Sequence, residues 1–422
     1  MHKVTKLNNG LTVITDRMVN MHSVALGFWI KTGGRYETKD IQGISHFLEH
    51  LLFKGTTNRS YKQLKEEVEG VGGVFNAFTS EEYTCYYVKM ISKYAHVALD
   101  VLSDMVLNPL FDQKEIDKER NVIVEEVRMY KDLPNQYVHE LLDELLWPDH
   151  PLGRSLLGTF ETIASIKRNH LVDYKEKYHS PSNVVVVACG DVEHDNIISF
   201  VQKQFKGKKE NTAFEFKKAA TQQKAPQINF YHKDTEQTHL CMGVHGLSRM
   251  HPDRYAQDIL NVILGGNMSS RLFNEVREKH CLAYEIGSGT KEYIDTGALF
   301  VHAGIDNDKT AEAVSVIMSE LMKLRDKEVK EKELTQAKEY YKGRLLMSLE
   351  DTMSNMLFLG EQMSSIGKII TKDEIIQEIE KVDFDAVRKI GKTLFVNNAL
   401  NMAIIGPQDV KAKAKTEEKF HV

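Results

Sequence analysis

The stretch that most constrains this chain is "GISHFLEHLLFKGT", Gly43 to Thr56, where His46, Glu49 and His50 interrupt an apolar run with helical spacing. Positions i, i+3 and i+4 share one face of a helix. Imidazoles and a carboxylate beside a packed core need partners, because burying them unpaired is costly. Two arrangements supply partners. The side chains can hydrogen-bond within the core, or the two imidazoles can converge on a metal ion.

Zinc suits this donor set, and a catalytic zinc takes three protein ligands and keeps one position open. H-x-x-E-H is a zinc-peptidase pattern in which the glutamate serves as base. A third ligand is available in "QKEIDKERNVIVEEVRMYK", where Glu119 and Glu126 stand seven apart near Ile116, Val122, Ile123 and Val127. Carboxylates bordering a buried stripe need a cation or donors. Glu126 would complete the metal site with Glu119 supporting it; alternatively both turn to water or pair with Arg120 and Arg128. Glu125 is the weaker ligand candidate, since it turns about 100° from the face of Glu119.

At 422 residues the chain exceeds what one hydrophobic core usually serves, so two domains of roughly 200 residues are expected. A formal net charge of -5 gives no basic footprint for nucleic acid. No stretch approaches the ~20 uninterrupted apolar residues of a membrane span. The opening residues run straight into strand-like alternation with no apolar export signal, so a cytoplasmic protein is expected. Cys85, Cys189, Cys241 and Cys281 are scattered among apolar neighbours, which reads as four reduced core thiols rather than metal ligands.

Alternation over 4–15 and 22–31 reads as a hairpin around Asn8-Asn9-Gly10 followed by another strand. Helical patterns cover 43–54, the segment opened by Ser60 and Gln63, 94–106, 113–131, 308–326, 330–349 and 351–366. "LGGNMSS" lacks the phosphate-loop lysine and reads as a helix–loop junction, and the Lys-rich tail as solvated surface. The polar interval 206–226 lacks periodicity, and the order of elements recurs in outline beyond it. The expected fold class is therefore α+β: two similar domains, each an antiparallel-type sheet packed with helices. The expected division is 1–208, a linker at 209–225, and 226–422.

At these residues the chain resembles the inverzincin peptidases: pitrilysin, the insulin-degrading enzyme and the mitochondrial processing peptidase. "HFLEHLLFKGT" is similar to the first family motif and "ERNVIVEEV" to the second, with matching spacing. The resemblance implies His46, His50 and Glu126 as ligands of one zinc per chain, Glu49 as base and Glu119 as a supporting acid. It implies that the strand in "GGVFNAFTSEEYTCYY" offers backbone groups of Asn76 and Ala77 to an extended peptide. It also implies that Arg277 and Tyr284, in "SSRLFNEVREKHCLAY", reach the substrate carbonyl. The likeness spans the chain and is nearest to short bacterial members, for which a two-fold homodimer acting on peptides is expected. The implied activity is a zinc metalloendopeptidase. The competing expectation is a catalytically silent scaffold subunit, which usually lacks a ligand or the base, whereas all four residues are present here. A metal-storage or sensor protein would need neither Glu49 nor an edge strand.

Overall fold

The computed structural model describes residues 2–207, 214–327 and 329–421. The chain forms two compact units: Met1–Arg128, Arg154–Lys217 and Met347–Ile369 make the first, and Met129–Gly153, Lys218–Leu346 and Ile370–Val422 the second.

The first unit is built on β1 (Lys3–Lys6), β2 (Thr12–Arg17), β3 (Ser23–Ile30), β4 (Val74–Thr79), β5 (Thr84–Ile91) and β6 (Val184–Gly190), in the order β1-β2-β6-β3-β5-β4. The second is built on β7 (Gln227–His232), β8 (Gln237–Gly246), β9 (Ala283–Glu292), β10 (Gly297–Asp306) and β11 (Asn401–Gly406), in the order β7-β11-β8-β10-β9. Leaving β1 aside, the two topologies are the same. Each sheet is antiparallel except for one parallel pair, β2 with β6 and β7 with β11. The α+β class and the duplication therefore hold, with mixed rather than purely antiparallel sheets.

The central strand of the first unit, "VVVVACG" in β6, is buried on both faces and so carries a continuous apolar run instead of alternation. On one face, Val24, Leu26, Phe28, Tyr86 and Val186 pack with Phe47, Leu51, Leu102 and Ile123 from three helices. On the other, Ile14, Ala25, Trp29, Val185 and Val187 lie under Met356 and Leu359 of the helix Thr352–Ile366. In the second unit Cys241, Ala298, Ala403 and Ile405 lie under Val138, Leu141 and Leu142 of the helix Pro134–Leu146.

Each sheet thus takes one covering helix from the opposite half of the sequence. The compact units are consequently not the contiguous spans 1–208 and 226–422. A sheet apolar on both faces requires a helix on each, and periodicity alone cannot say which sheet a helix will cover. Of the expected linker 209–225, residues 209–213 lie outside the described residues. Phe214 packs on Tyr178 at 4.9 Å between ring centroids, and the Arg35 guanidinium lies 4.0 Å over the Phe216 ring, so this part of the linker is docked on the first unit.

Three cysteines are buried free thiols, but Cys281 is exposed, which corrects the expectation of four core residues. Val410–Lys419 of the tail is a helix, largely solvated. Among the described residues no helix is long and apolar enough to cross a membrane.

Gly360 carries a close approach. A Cβ there would meet Trp29 ring atoms at 2.1 and 2.2 Å, and a buried indole has nowhere to move. Gly360→Ala is expected to destabilise by about 1–3 kcal/mol through overpacking, despite alanine's higher helix propensity. Urea unfolding checks this; an equally or more stable variant would show that the indole can shift.

Candidate metal centre

The helix Ile44–Leu52 forms because Ile44, Phe47, Leu48, Leu51 and Leu52 recur on one face, all buried in the first unit's core. That packing turns His46, Glu49 and His50 together toward the helix Gln113–Asp132. There Ile116, Glu119, Ile123 and Val127 are buried. Val122, expected in this stripe, is instead about half exposed. Asp112 accepts hydrogen bonds from the Lys114 and Glu115 N–H groups and so caps the start of this helix.

The two helices bring one donor atom each from His46, His50 and Glu126 within 4.8 Å of one another. Glu126 Oε2 lies 3.7 Å from His46 Nε2 and 3.5 Å from His50 Nε2. The imidazole centroids are 4.6 Å apart. His50 Nδ1 lies 3.1 Å from Glu119 Oε2, and Lys54 Nζ lies 2.7 Å from Glu119 Oε1. Thr79 Oγ1 donates to Glu49 Oε2 at 2.6 Å. Glu125, by contrast, is exposed and pairs with Arg128, while Arg120 donates to the backbone carbonyls of Ile163 and Ile166. The arginines therefore do not neutralise Glu119 or Glu126.

The electrostatics follow from this packing. Burial, then the charge on His50, holds the His46 pKa well below its usual value, against Glu126. Burial also pulls on His50, but hydrogen bonds to Glu119 and Glu126, with the charges of Glu126 and Glu49, outweigh it and raise the pKa to about 9. Burial raises that of Glu49 against the Thr79 hydrogen bond and the His50 charge. Glu126 is held low, first by the His50 hydrogen bond. Glu119 is low as well, because His50 and Lys54 overcome the cost of its burial. Two imidazole nitrogens and a carboxylate oxygen converging from partly buried positions form a donor set suited to zinc. His50, oriented through its other ring nitrogen by a carboxylate, has the usual support of a metal-bound histidine.

Sequence reasoning missed two members of this cluster. Lys54 follows His50 by four residues and was legible from helical spacing. Thr79 comes from β4 and needed the sheet to bring it near.

Asn76 and Ala77 lie on β4, the edge strand of the first sheet. The Ala77 N–H is engaged by Asn76 Oδ1 at 2.9 Å. Arg277 and Tyr284 belong to the second unit. The segment Phe273–Lys279 is a π-helix, with the His280 N–H donating to the Glu275 carbonyl at 3.1 Å. Arg277 lies with its guanidinium carbon 4.7 Å from the Phe273 ring centroid and 5.0 Å from that of Tyr284. Tyr284 is 76% exposed.

This fold and donor set agree with what the chain is similar to. Residues 12–160 match the insulinase model of peptidase family M16, and residues 165–341 match the M16 inactive-domain model. The chain belongs to peptidase family M16. It is 40% identical over 403 residues to the uncharacterized zinc protease YmxG of Bacillus subtilis, spanning 94% of this chain and 97% of that one. It is 36% identical over 409 residues to an uncharacterized zinc protease of Rickettsia felis, spanning 97% and 98%. In fold it is similar to a protease from Helicobacter pylori, with a TM-score of 0.92 and 24% identity, covering 96% and 99% of the two chains.

A raised His50 pKa has a measurable consequence. Zinc needs the neutral imidazole, so if His50 is one of its ligands, uptake near pH 7 should release the His50 proton and apparent affinity should climb with pH toward about 9. Calorimetry in buffers of different ionisation enthalpy reads the released proton. A binding heat independent of buffer would refute the assignment.

Proposed function

We propose that this chain is a zinc-dependent endopeptidase that cleaves peptides and unfolded segments bound in extended form, with one zinc per chain on His46, His50 and Glu126. The observation that carries this reading is the convergence of those three donors beside Glu49, whose carboxylate is held by Thr79. Zinc bound there supplies Lewis acidity, which activates water at neutral pH and polarises an amide carbonyl.

The chain's own residues do the rest. Glu49 takes a proton from the attacking water and returns it to the leaving amine. Its raised pKa suits it to both tasks, and Thr79 fixes one oxygen so that the other faces the reaction. Glu119 orients His50, and Lys54 keeps Glu119 ionised. An extended peptide adds to β4 through main-chain hydrogen bonds, which favours broad sequence tolerance. Asn76 releases the Ala77 N–H when that strand docks. Arg277 and Tyr284 act as donors toward the substrate carbonyl.

Glu49→Gln should retain zinc and fold while losing nearly all turnover, because it removes the base and no ligand. His46→Ala, His50→Ala and Glu126→Gln should lose zinc. Elemental analysis with a peptide-cleavage assay separates the two classes; a Glu49→Gln chain that still turns over substantially would sink the role of Glu49. An intact quartet that binds zinc yet cleaves no peptide in a diverse library would favour the silent-subunit alternative.

The proposal extends to a two-fold homodimer in which Arg277 and Tyr284 serve the zinc site of the second copy, supported by the solvent exposure of Tyr284. Glu49→Gln and Arg277→Ala chains would each be nearly inactive alone. Once mixed and shown to exchange, they should recover activity at up to about half of the sites in mixed dimers. Exchange without recovery would place the pair in cis or outside the reaction.

A further inference from the structure

The helix that carries His46, Glu49 and His50 cannot cap itself. Its N-cap residue is Gly43, at φ +89°, and a Cβ there would stand 2.7 Å from the Leu157 carbonyl oxygen and 2.8 Å from the Gly158 Cα. Only glycine fits that position, and glycine has no side-chain acceptor. The first N–H groups of a helix have no partner within it, and here Gly43 and Ser45 are both buried. Some other group must accept from them.

That group is Glu37, six residues upstream. One carboxylate oxygen accepts from the Gly43 N–H at 2.7 Å and the other from the Ser45 N–H at 2.8 Å. Glu37 is only 4% exposed, and burial pushes its pKa up to about 7 against both N–H donors and the charge of Arg154. A carboxylate so buried is tolerated where it satisfies groups that would otherwise be orphaned, and a negative charge is favoured at a helix N-terminus. Ser45 is held a second time, by its hydroxyl 2.9 Å from the Tyr174 hydroxyl.

We infer that Glu37 is a positioning residue of the metal centre: it caps the helix Ile44–Leu52 from outside and so fixes the rotation of the face bearing His46, Glu49 and His50. The link to zinc rests on the proposed function; the cap itself does not. Glu37→Gln keeps the shape but sets an amide NH2 against one of the two N–H donors, and Glu37→Asp keeps both acceptors one methylene short.

Two measurements test this. In the metal-free protein, amide hydrogen exchange should quicken at least tenfold in residues 43–50 of Glu37→Gln and little elsewhere in the unit. Zinc affinity, from competition with a chromophoric chelator, should weaken by about 10–100-fold, as for other groups that orient metal ligands. Glu37→Asp should fall between wild type and Glu37→Gln on both scales, and it carries the test if Glu37→Gln does not fold. A folded Glu37→Gln with unchanged local exchange and zinc affinity within about twofold would overturn the inference. So would a uniform quickening across the unit with unchanged zinc affinity, the mark of a merely structural residue. Local quickening in a protein whose wild type binds no zinc would uphold the cap and sink the zinc reading alone.

Discussion

The first unit is organised around holding two imidazoles and three carboxylates together at the edge of a hydrophobic core. Any of these groups alone would resist that position, because burial disfavours an unpaired polar or charged side chain. Together they satisfy one another except at His46 Nδ1, which is buried with no hydrogen-bond partner. Glu126 answers both histidines, Glu119 answers His50 and Lys54, and Thr79 answers Glu49. The arrangement requires two helices to meet at one rotation and one distance. The apolar faces anchored by Phe47, Leu51, Ile116 and Ile123 supply that meeting.

The second unit shows what the fold does without this cluster. It repeats the strand order, and its helix Arg254–Leu264 follows β8 as Ile44–Leu52 follows β3. That helix buries Tyr255, Ile259, Leu260 and Ile263 and brings no second imidazole and carboxylate set together. Among the described residues the one group of three converging donors is in the first unit. The candidate metal centre is thus a few side chains grafted on one copy of a duplicated scaffold.

How much was legible follows from the range of each signal. His46, Glu49 and His50 were visible because their relation is local: helical spacing alone puts them on one face. Glu119 and Glu126 were visible as a pair for the same reason, and the apolar stripe marked their helix as packed. The capping box of Ser60 and Gln63 sits where their side chains indicated. Thr79, Glu37 and the exchanged helices were not visible, because each acts across a distance that no periodicity encodes. Cys281 misled because apolar neighbours in sequence are not neighbours in space, and the π-helix at Phe273–Lys279 has no propensity signature apart from an ordinary helix.

The sequence by itself determined which residue types could do chemistry and on which helix faces they would stand, since 3.6 residues per turn fixes the angle between positions without any tertiary contact. Tertiary structure alone decided that the two faces meet and that β4 brings Thr79 to Glu49. It also decided that a glycine N-cap wedged against Leu157 borrows its acceptor from Glu37. Those outcomes depend on which apolar surfaces bury one another, and burial is non-directional and roughly proportional to area. It selects partners only once the whole chain has packed.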